Sequence, residues 1–258
     1  MSFTKVKKGV CAAKGFVANG LNCGLNSDKN KNDLALVYSE TQCQAAAVYT
    51  TNKVKGAPIQ VTKAHLEASG HTAKAVIANS KNANTCNADG VEKAQKMCEL
   101  AAAELSIDPN EVIVASTGVI GQVLPIEPIE SHIKELAKGL SADGNDKAVN
   151  AIMTTDTVPK QYAVKFMLGD CECTVGGMAK GSGMIHPNMA TTLNFITSDV
   201  AISSELIQKA LSEIVKVTYN CLSIDGDTST NDMVSIMANG LAGNTPITTE
   251  NADYETFK

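Results

Sequence analysis

The sequence predicts a mixed α/β fold, α/β or α+β in class, organised as one domain. Three observations carry this reading. Short apolar runs of strand length recur along the chain, apolar stripes at helical spacing fall between them, and no linker-like change of composition divides the 258 residues. Strands that alternate with one-sided helices can bury their apolar faces only by stacking helices on a sheet.

Taken in order, Lys5, Lys7 and Lys8 precede an apolar run from Val10 to Ala13. That run is shorter than the roughly 7–15 residues of a signal-peptide core. Asn26 to Asp33 is the most polar stretch and reads as a surface loop. Leu34–Ser39 and Ala45–Thr50 read as two short strands, and Ala75–Ala78 and Val112–Val114 as buried ones. Between them, Val91, Ala94, Met97, Cys98, Ala101 and Leu105 follow helical spacing, with Asp89 and Glu92 placed as a capping box and Pro109 past the end. Ile126, Ile129, Ile133, Leu136 and Leu140 form a second stripe that stops near Gly139. Tyr162–Leu168 alternates as a half-buried strand, Leu193–Ile196 reads as a strand, and Leu206, Ala210, Ile214, Val217 and Cys221 form a third helical stripe.

Composition excludes several function classes. Hydrophobic residues at 44% against 19% charged place the chain among globular proteins rather than disordered ones. A net charge of −5 lacks the basic footprint of a nucleic-acid binder. No Trp and 4% aromatics leave little for base stacking. No run approaches the roughly 18 apolar residues of a membrane span, so no membrane partner is predicted and the expected compartment is the cytoplasm. The eight cysteines lack C-x-x-C pairing and are expected as free thiols.

Known chemical motifs are then tested. Cys171 and Cys173 share a strand face, but no second close pair exists and His65, His71, His132 and His186 are dispersed, so no metal site is expected. Asp225, Asp227 and Ser229 begin like a calcium loop, yet Thr230 and Ile236 occupy the positions that need Gly and Glu. Phosphate-loop, dinucleotide and G-x-S-x-G patterns are absent. The most unusual stretch holds Gly176, Gly177, Gly181 and Gly183, then His186-Pro187-Asn188-Met189-Ala190-Thr191. By pattern alone it is a flexible surface loop. Small Ala190 before Thr191 also leaves that peptide bond sterically open to attack.

Lys180-Gly181-Ser182-Gly183-Met184-Ile185-His186-Pro187-Asn188-Met189-Ala190-Thr191 resembles the self-cleavage segment of the ornithine acetyltransferase family, the bifunctional glutamate/ornithine N-acetyltransferases of arginine biosynthesis. Four further stretches resemble family segments in the same order: Lys53–Pro58, the Asn-rich turn Asn79–Asn84, the oxyanion segment Ser116–Gly121 and the acidic loop Asp225–Asp232. The likeness runs from about residue 14 to residue 243. Three departures stand out. Lys81 replaces the turn's usual Gly, Thr192 stands where Met is common, and only residues 191–258 follow the predicted cut, so the family's C-terminal portion is absent.

The resemblance implies a layered α/β/β/α sandwich of the self-cleaving N-terminal-threonine acyltransferase/aminopeptidase type. It implies a segment 1–190 and the beginning of a second, 191–258, folded together as one domain after cleavage between Ala190 and Thr191. Thr191 would then be the nucleophile, with its own freed α-amine, of pKa about 7.7–8.0, as base. Thr117 and Gly118 would stabilise the oxyanion, and Thr154, Lys180 and Thr191 would contact substrate. The implied reaction moves an acetyl group from N-acetylornithine to glutamate through an acetyl-threonine. No cofactor is required, and acetyl-CoA is a candidate co-substrate. The implied assembly keeps the two segments together as a heterodimer, paired into a dimer of heterodimers. Two other readings stand beside this one: an N-terminal-nucleophile aminopeptidase or amidase, and a non-catalytic truncated form.

Overall fold

The structure, a computed structural model, describes residues 3–186 and 192–258. In chain order its strands and helices are β1 (Thr4–Val6), β2 (Phe16–Leu21), β3 (Leu34–Tyr49), α1 (Ala57–Ala68), β4 (Thr72–Asn79), α2 (Gly90–Leu105), β5 (Val112–Ser116), α3 (Glu127–Lys138), α4 (Asn145–Ile152), β6 (Lys160–Leu168), β7 (Cys171–Lys180), β8 (Leu193–Ser198), α5 (Ser204–Val217), β9 (Met233–Ala238) and α6 (Ala252–Phe257). Among the described residues the strands join in one path of order β1-β6-β7-β8-β9-β3-β4-β5, with β2 also on β3.

β3 explains how one path makes two layers. Its first half pairs antiparallel with β2 and β4, and its second half, Gln44–Tyr49, pairs antiparallel with β9. The register on β4 shifts between Tyr38 and Cys43, a bulge that re-aims the strand. The two strands expected over Leu34–Ser39 and Ala45–Thr50 are one, because the polar bulge Glu40–Gln42 interrupts the apolar pattern without ending the strand.

Side-chain alternation then assigns three cores. Leu34, Leu36, Ile77, Val112 and Val114 face α1, α2 and α3 through Val61, Met97, Ile129 and Leu136. Their sequence neighbours Ala35, Val37, Val76 and Ile113 point the other way, onto Met178, Phe195, Met233 and Met237 of the second sheet half, with α4 wedged alongside. The outer face of that second half, with Phe166, Val234 and Ile236, packs on Leu206, Ile207 and Ala210 of α5 and on Tyr254 of α6. The result is the α/β/β/α layering expected of the family.

Several local expectations are corrected. Asp89 sits at the N-cap of α2 but makes no side-chain cap bond; the capping box forms instead between Asp108 and Glu111, around a 3-10 turn begun by Pro109. Val91 is exposed. α5 ends at Val217, so Cys221 lies beyond it in a short 3-10 turn. On β6, Tyr162 is exposed rather than part of a buried face. The first part of the glycine-dense stretch is not a loop: Gly176 and Gly177 lie inside β7, paired with β6 and β8. A Cβ on Gly176 would collide with the Gly9 carbonyl, so glycine here permits a close backbone approach. No described helix is long and apolar enough to cross a membrane.

Candidate active site

The C-terminal ends of β5 and β7 open onto one cavity of about 380 Å³. Thr117 and Gly118 follow β5, Lys180 is the last residue of β7, and Thr154 and Thr155 come from the loop after α4. Ser229, Thr230 and Asn231 close the wall just before β9. Thus all four described residues picked from the sequence, Thr117, Gly118, Thr154 and Lys180, line the same space. Ala190 and Thr191 lie outside the described residues. The segment leading toward them borders the cavity through Gly183 and Met184.

Thr117 and Gly118 are aimed by the Asn-rich turn. The Thr117 N–H donates to the Asn79 carbonyl at 3.0 Å, and the Val119 N–H donates to the Lys81 carbonyl at 3.1 Å. Between these anchors Gly118 takes φ +135°, and a Cβ there would overlap the Lys81 carbonyl group and lie 2.6 Å from the Asn82 nitrogen. Only glycine fits. Among the described residues nothing accepts from the Gly118 N–H, which leaves a donor at the cavity wall. Lys81 itself holds φ +77°, which explains why glycine is usual there; the lysine is accommodated at the cost of a left-handed backbone.

Asn231 ties three segments together. Its Nδ2 donates to the carbonyls of Ala83 at 2.7 Å and Ser116 at 3.0 Å, while its Oδ1 accepts from Thr85 and Thr230, each at 2.6 Å. The turn, the end of β5 and the lead-in to β9 are therefore held by one saturated buried amide. A second clamp is Asp156. It accepts from the N–H groups of Gly181 at 2.8 Å and Thr154 at 3.2 Å, and pairs with Lys160 at 2.6 Å. Burial alone would raise its carboxyl pKa, but Lys160 and these two amides outweigh it and hold it below its ordinary value. This clamp sets Thr154 beside the end of β7. Asp225 docks the next stretch by accepting from the Met184 and Ile185 amides.

Lys180 is only 5% exposed, and its Nζ donates to Thr117 Oγ1 at 2.9 Å. Burial pushes its pKa down, and the carboxylates of Asp156 and Asp232 counter only part of that. Asp232, at the foot of β9, is 1% exposed. Burial pushes its carboxyl up to about 8, although the Ser229 hydroxyl, Lys180 and the Thr192 amide favour its charged form. Sequence reasoning missed the roles of Asp156, Asn231 and Asp232. The one available signal for the last two was an Asn-Asp pair abutting the uniformly apolar start of β9. Among the described residues no group of His, Cys, Asp and Glu is arranged to hold a metal.

This arrangement can present paired hydrogen-bond donors to a developing oxyanion, with a buried cation behind them. The model of the ArgJ family matches residues 17–258. This chain belongs to the ArgJ family. It is 51% identical over 244 residues to the "Arginine biosynthesis bifunctional protein ArgJ 1" of Clostridium acetobutylicum, covering 94% of this chain and 59% of that relative. Two solved structures are similar. The arginine biosynthesis bifunctional protein argJ of Bacillus halodurans is 39% identical with TM-score 0.68, over 73% of this chain and 98% of that one. An ornithine acetyltransferase of Mycobacterium tuberculosis, complexed with ornithine, is 34% identical with TM-score 0.66, over 74% of this chain and 100% of that one. A Burkholderia β-aminopeptidase, 10% identical with TM-score 0.57 over 100% of this chain and 83% of that one, shares the fold alone. The chain spans 59–62% of the length of these curated relatives.

Proposed function

We propose that this ArgJ-family chain carries the site for acetyl transfer from N-acetylornithine to glutamate, a step of arginine biosynthesis, by way of an acetyl ester on Thr191. The observation that carries the reading is the convergence of Thr117, Gly118, Thr154 and Lys180 on one cavity beside the segment that runs to Ala190 and Thr191. The relatives' names speak of arginine biosynthesis and of an ornithine acetyltransferase bound to ornithine, and the family resemblance supplies N-acetylornithine as donor and glutamate as acceptor.

The chemistry begins with self-cleavage. Thr191 Oγ attacks the Ala190 carbonyl, the C–N bond breaks, and the nitrogen leaves as the Thr191 amine. Water then hydrolyses the ester and frees the hydroxyl. The new α-amine, with a pKa of about 7.7–8.0, is partly neutral near pH 7 and can take the hydroxyl proton directly or through one water.

In the transfer, Thr191 Oγ attacks the acetyl carbonyl of N-acetylornithine. The carbonyl electron pair moves onto oxygen, where the Thr117 hydroxyl and the Gly118 N–H donate to it. Collapse expels the ornithine nitrogen, which takes the proton held by the α-amine. Glutamate's amine then attacks the ester by the same path and restores free Thr191. Acyl energy is conserved in the ester, so no nucleotide is consumed. Thr154 and the cavity's cations would contact the amino-acid substrates. The two segments 1–190 and 191–258 would stay associated, with copies pairing. Acetyl-CoA is proposed as a second donor of the same acyl group, with no other cofactor.

Intact mass spectrometry of the purified chain tests the first step. Two fragments meeting between Ala190 and Thr191 are expected, against one unbroken 27.0 kDa chain for Thr191→Ala. Incubation with N-acetylornithine should release ornithine, and added glutamate should become N-acetylglutamate. Free acetate in place of N-acetylglutamate would assign a hydrolase of the amidase kind. An unbroken wild-type chain would remove the proposal.

A further inference from the structure

Resting on the acyl-transfer reading, we propose that Lys180 is a positioning residue of the oxyanion site: its buried ammonium holds the Thr117 oxygen and turns the Thr117 hydroxyl proton into the cavity beside the Gly118 N–H. This differs from the carboxylate-binding role that the resemblance implies for Lys180.

The direction of the hydrogen bond carries the argument. An ammonium has three donors and no acceptor, so in the 2.9 Å contact Thr117 Oγ1 must accept from Lys180 Nζ. A hydroxyl has a single proton, and it cannot point back at a donor. No described residue accepts from Thr117 Oγ1, whose side chain lines the cavity. Its proton is therefore left for a guest. Gly118, the next residue, leaves its own N–H without a described acceptor at the same wall. Two adjacent residues thus offer donors to one cavity, as an oxyanion site requires.

Lys180 adds charge as well as direction. An oxygen that already accepts from a cation is a stronger O–H donor, because bonds in such a chain polarise one another. The cation is itself almost fully buried beside the donors, where its field is screened less than at the surface. Lys180 is poorly placed to grip a substrate carboxylate, since it is 5% exposed and already engaged. Lys81 is better suited to that task. It lines the same cavity, is exposed, and forms no ion pair among the described residues.

The test separates the two roles of Lys180. Single-turnover ornithine release from N-acetylornithine is measured for the full chain and for Lys180→Met, Lys180→Arg, Thr117→Val and the Lys180→Met/Thr117→Val pair. Lysine side-chain NMR of the wild type and Thr117→Val reports the ammonium directly. Lys180→Met should slow release by about 10- to 100-fold while KM for N-acetylornithine stays within about twofold. Lys180→Arg should recover part of the rate. The pair should be no slower than Thr117→Val alone, because both changes remove one device. The Lys180 ammonium signal should shift or vanish in Thr117→Val. A raised KM with unchanged rate, multiplicative losses in the pair, or an ammonium signal indifferent to Thr117 would each overturn the inference. If the cleaved wild type releases no ornithine, the acyl-transfer reading itself fails, and the NMR result still shows separately whether the contact exists.

Discussion

Replacing Asn231 should do disproportionate damage for an uncharged residue outside every strand and helix. Its amide makes four hydrogen bonds, two as donor to Ala83 and Ser116 and two as acceptor from Thr85 and Thr230. A buried hydrogen bond contributes roughly 1 kcal/mol net, and a partner left unsatisfied in the interior costs about 1–3 kcal/mol. Thr85 keeps a second bond to the Ala83 carbonyl at 3.1 Å, so not every partner is orphaned. Asn231→Ala is therefore expected to cost about 3–5 kcal/mol, a fall in Tm on the order of 10 °C for a chain of this size. Asn231→Asp is the sharper probe. It keeps the shape and both acceptor bonds but sets a carboxylate oxygen against two carbonyls. Folding then favours the protonated acid, which can donate to one of them. The folded pKa lies above the unfolded one, so the variant should gain stability as pH falls toward about 4. Urea denaturation of both variants across this range is the assay. A loss below about 1 kcal/mol in Asn231→Ala, or an Asn231→Asp deficit that ignores pH, would refute the account of Asn231 as the tie between the turn, β5 and β9.

Gly118→Ala should lose at least about 2 kcal/mol, because a left-handed φ and a backbone collision combine at one atom; unchanged denaturation would show that the turn has room to move. Lys81→Gly should gain about 0.5–1 kcal/mol by relieving φ +77°, and a loss would reveal a stabilising contact of the lysine side chain. Asp232 gives a pH slope of known sign. Its carboxyl holds a proton up to about 8 in the folded state against 3.8 when exposed, so between these values the folded state binds more protons and stability falls as pH rises. Asp232→Asn should flatten the decline in Tm between about pH 5 and 8, and parallel Tm profiles for variant and wild type would exclude this carboxyl as its source.

How far the fold could be read beforehand depended on whether a strand's neighbours or its own residues determine it. Ala75–Ala78 and Val112–Val114 were legible because β4 and β5 are covered on both faces, so every position must be apolar. β7 was not. Its Gly176 and Gly177 are conditioned by a neighbouring backbone, the Gly9 carbonyl for the first, and nothing local distinguishes that need from a flexible loop. α1 was also missed: Pro58 at its start and His65 and Thr62 buried toward β5 break the apolar stripe. His65 is satisfied by the Val112 carbonyl and the Gln95 side chain, and Thr62 by the carbonyl and N–H of Val114, which are tertiary facts.

The site divides along the same line. Thr117, Gly118, Thr154 and Lys180 could be picked out because a long ordered likeness marked them, and the cavity brings the four together. Asp156 carried no such mark, and Asn231 and Asp232 were marked only as part of an acidic loop, with no role of their own. Each is a polar residue in a polar stretch, and each reads as solvated until burial is known. Their burial is what gives them force: at 1% exposure the Asp232 carboxyl keeps its proton up to about 8, as a surface one would not, and a saturated buried amide holds its neighbours where a wet one would exchange with water. The same reasoning reassigns Lys180. From the sequence it is a free cation ready for a carboxylate; in the fold it is buried and donates to Thr117, while Lys81 is an exposed cation on the same cavity.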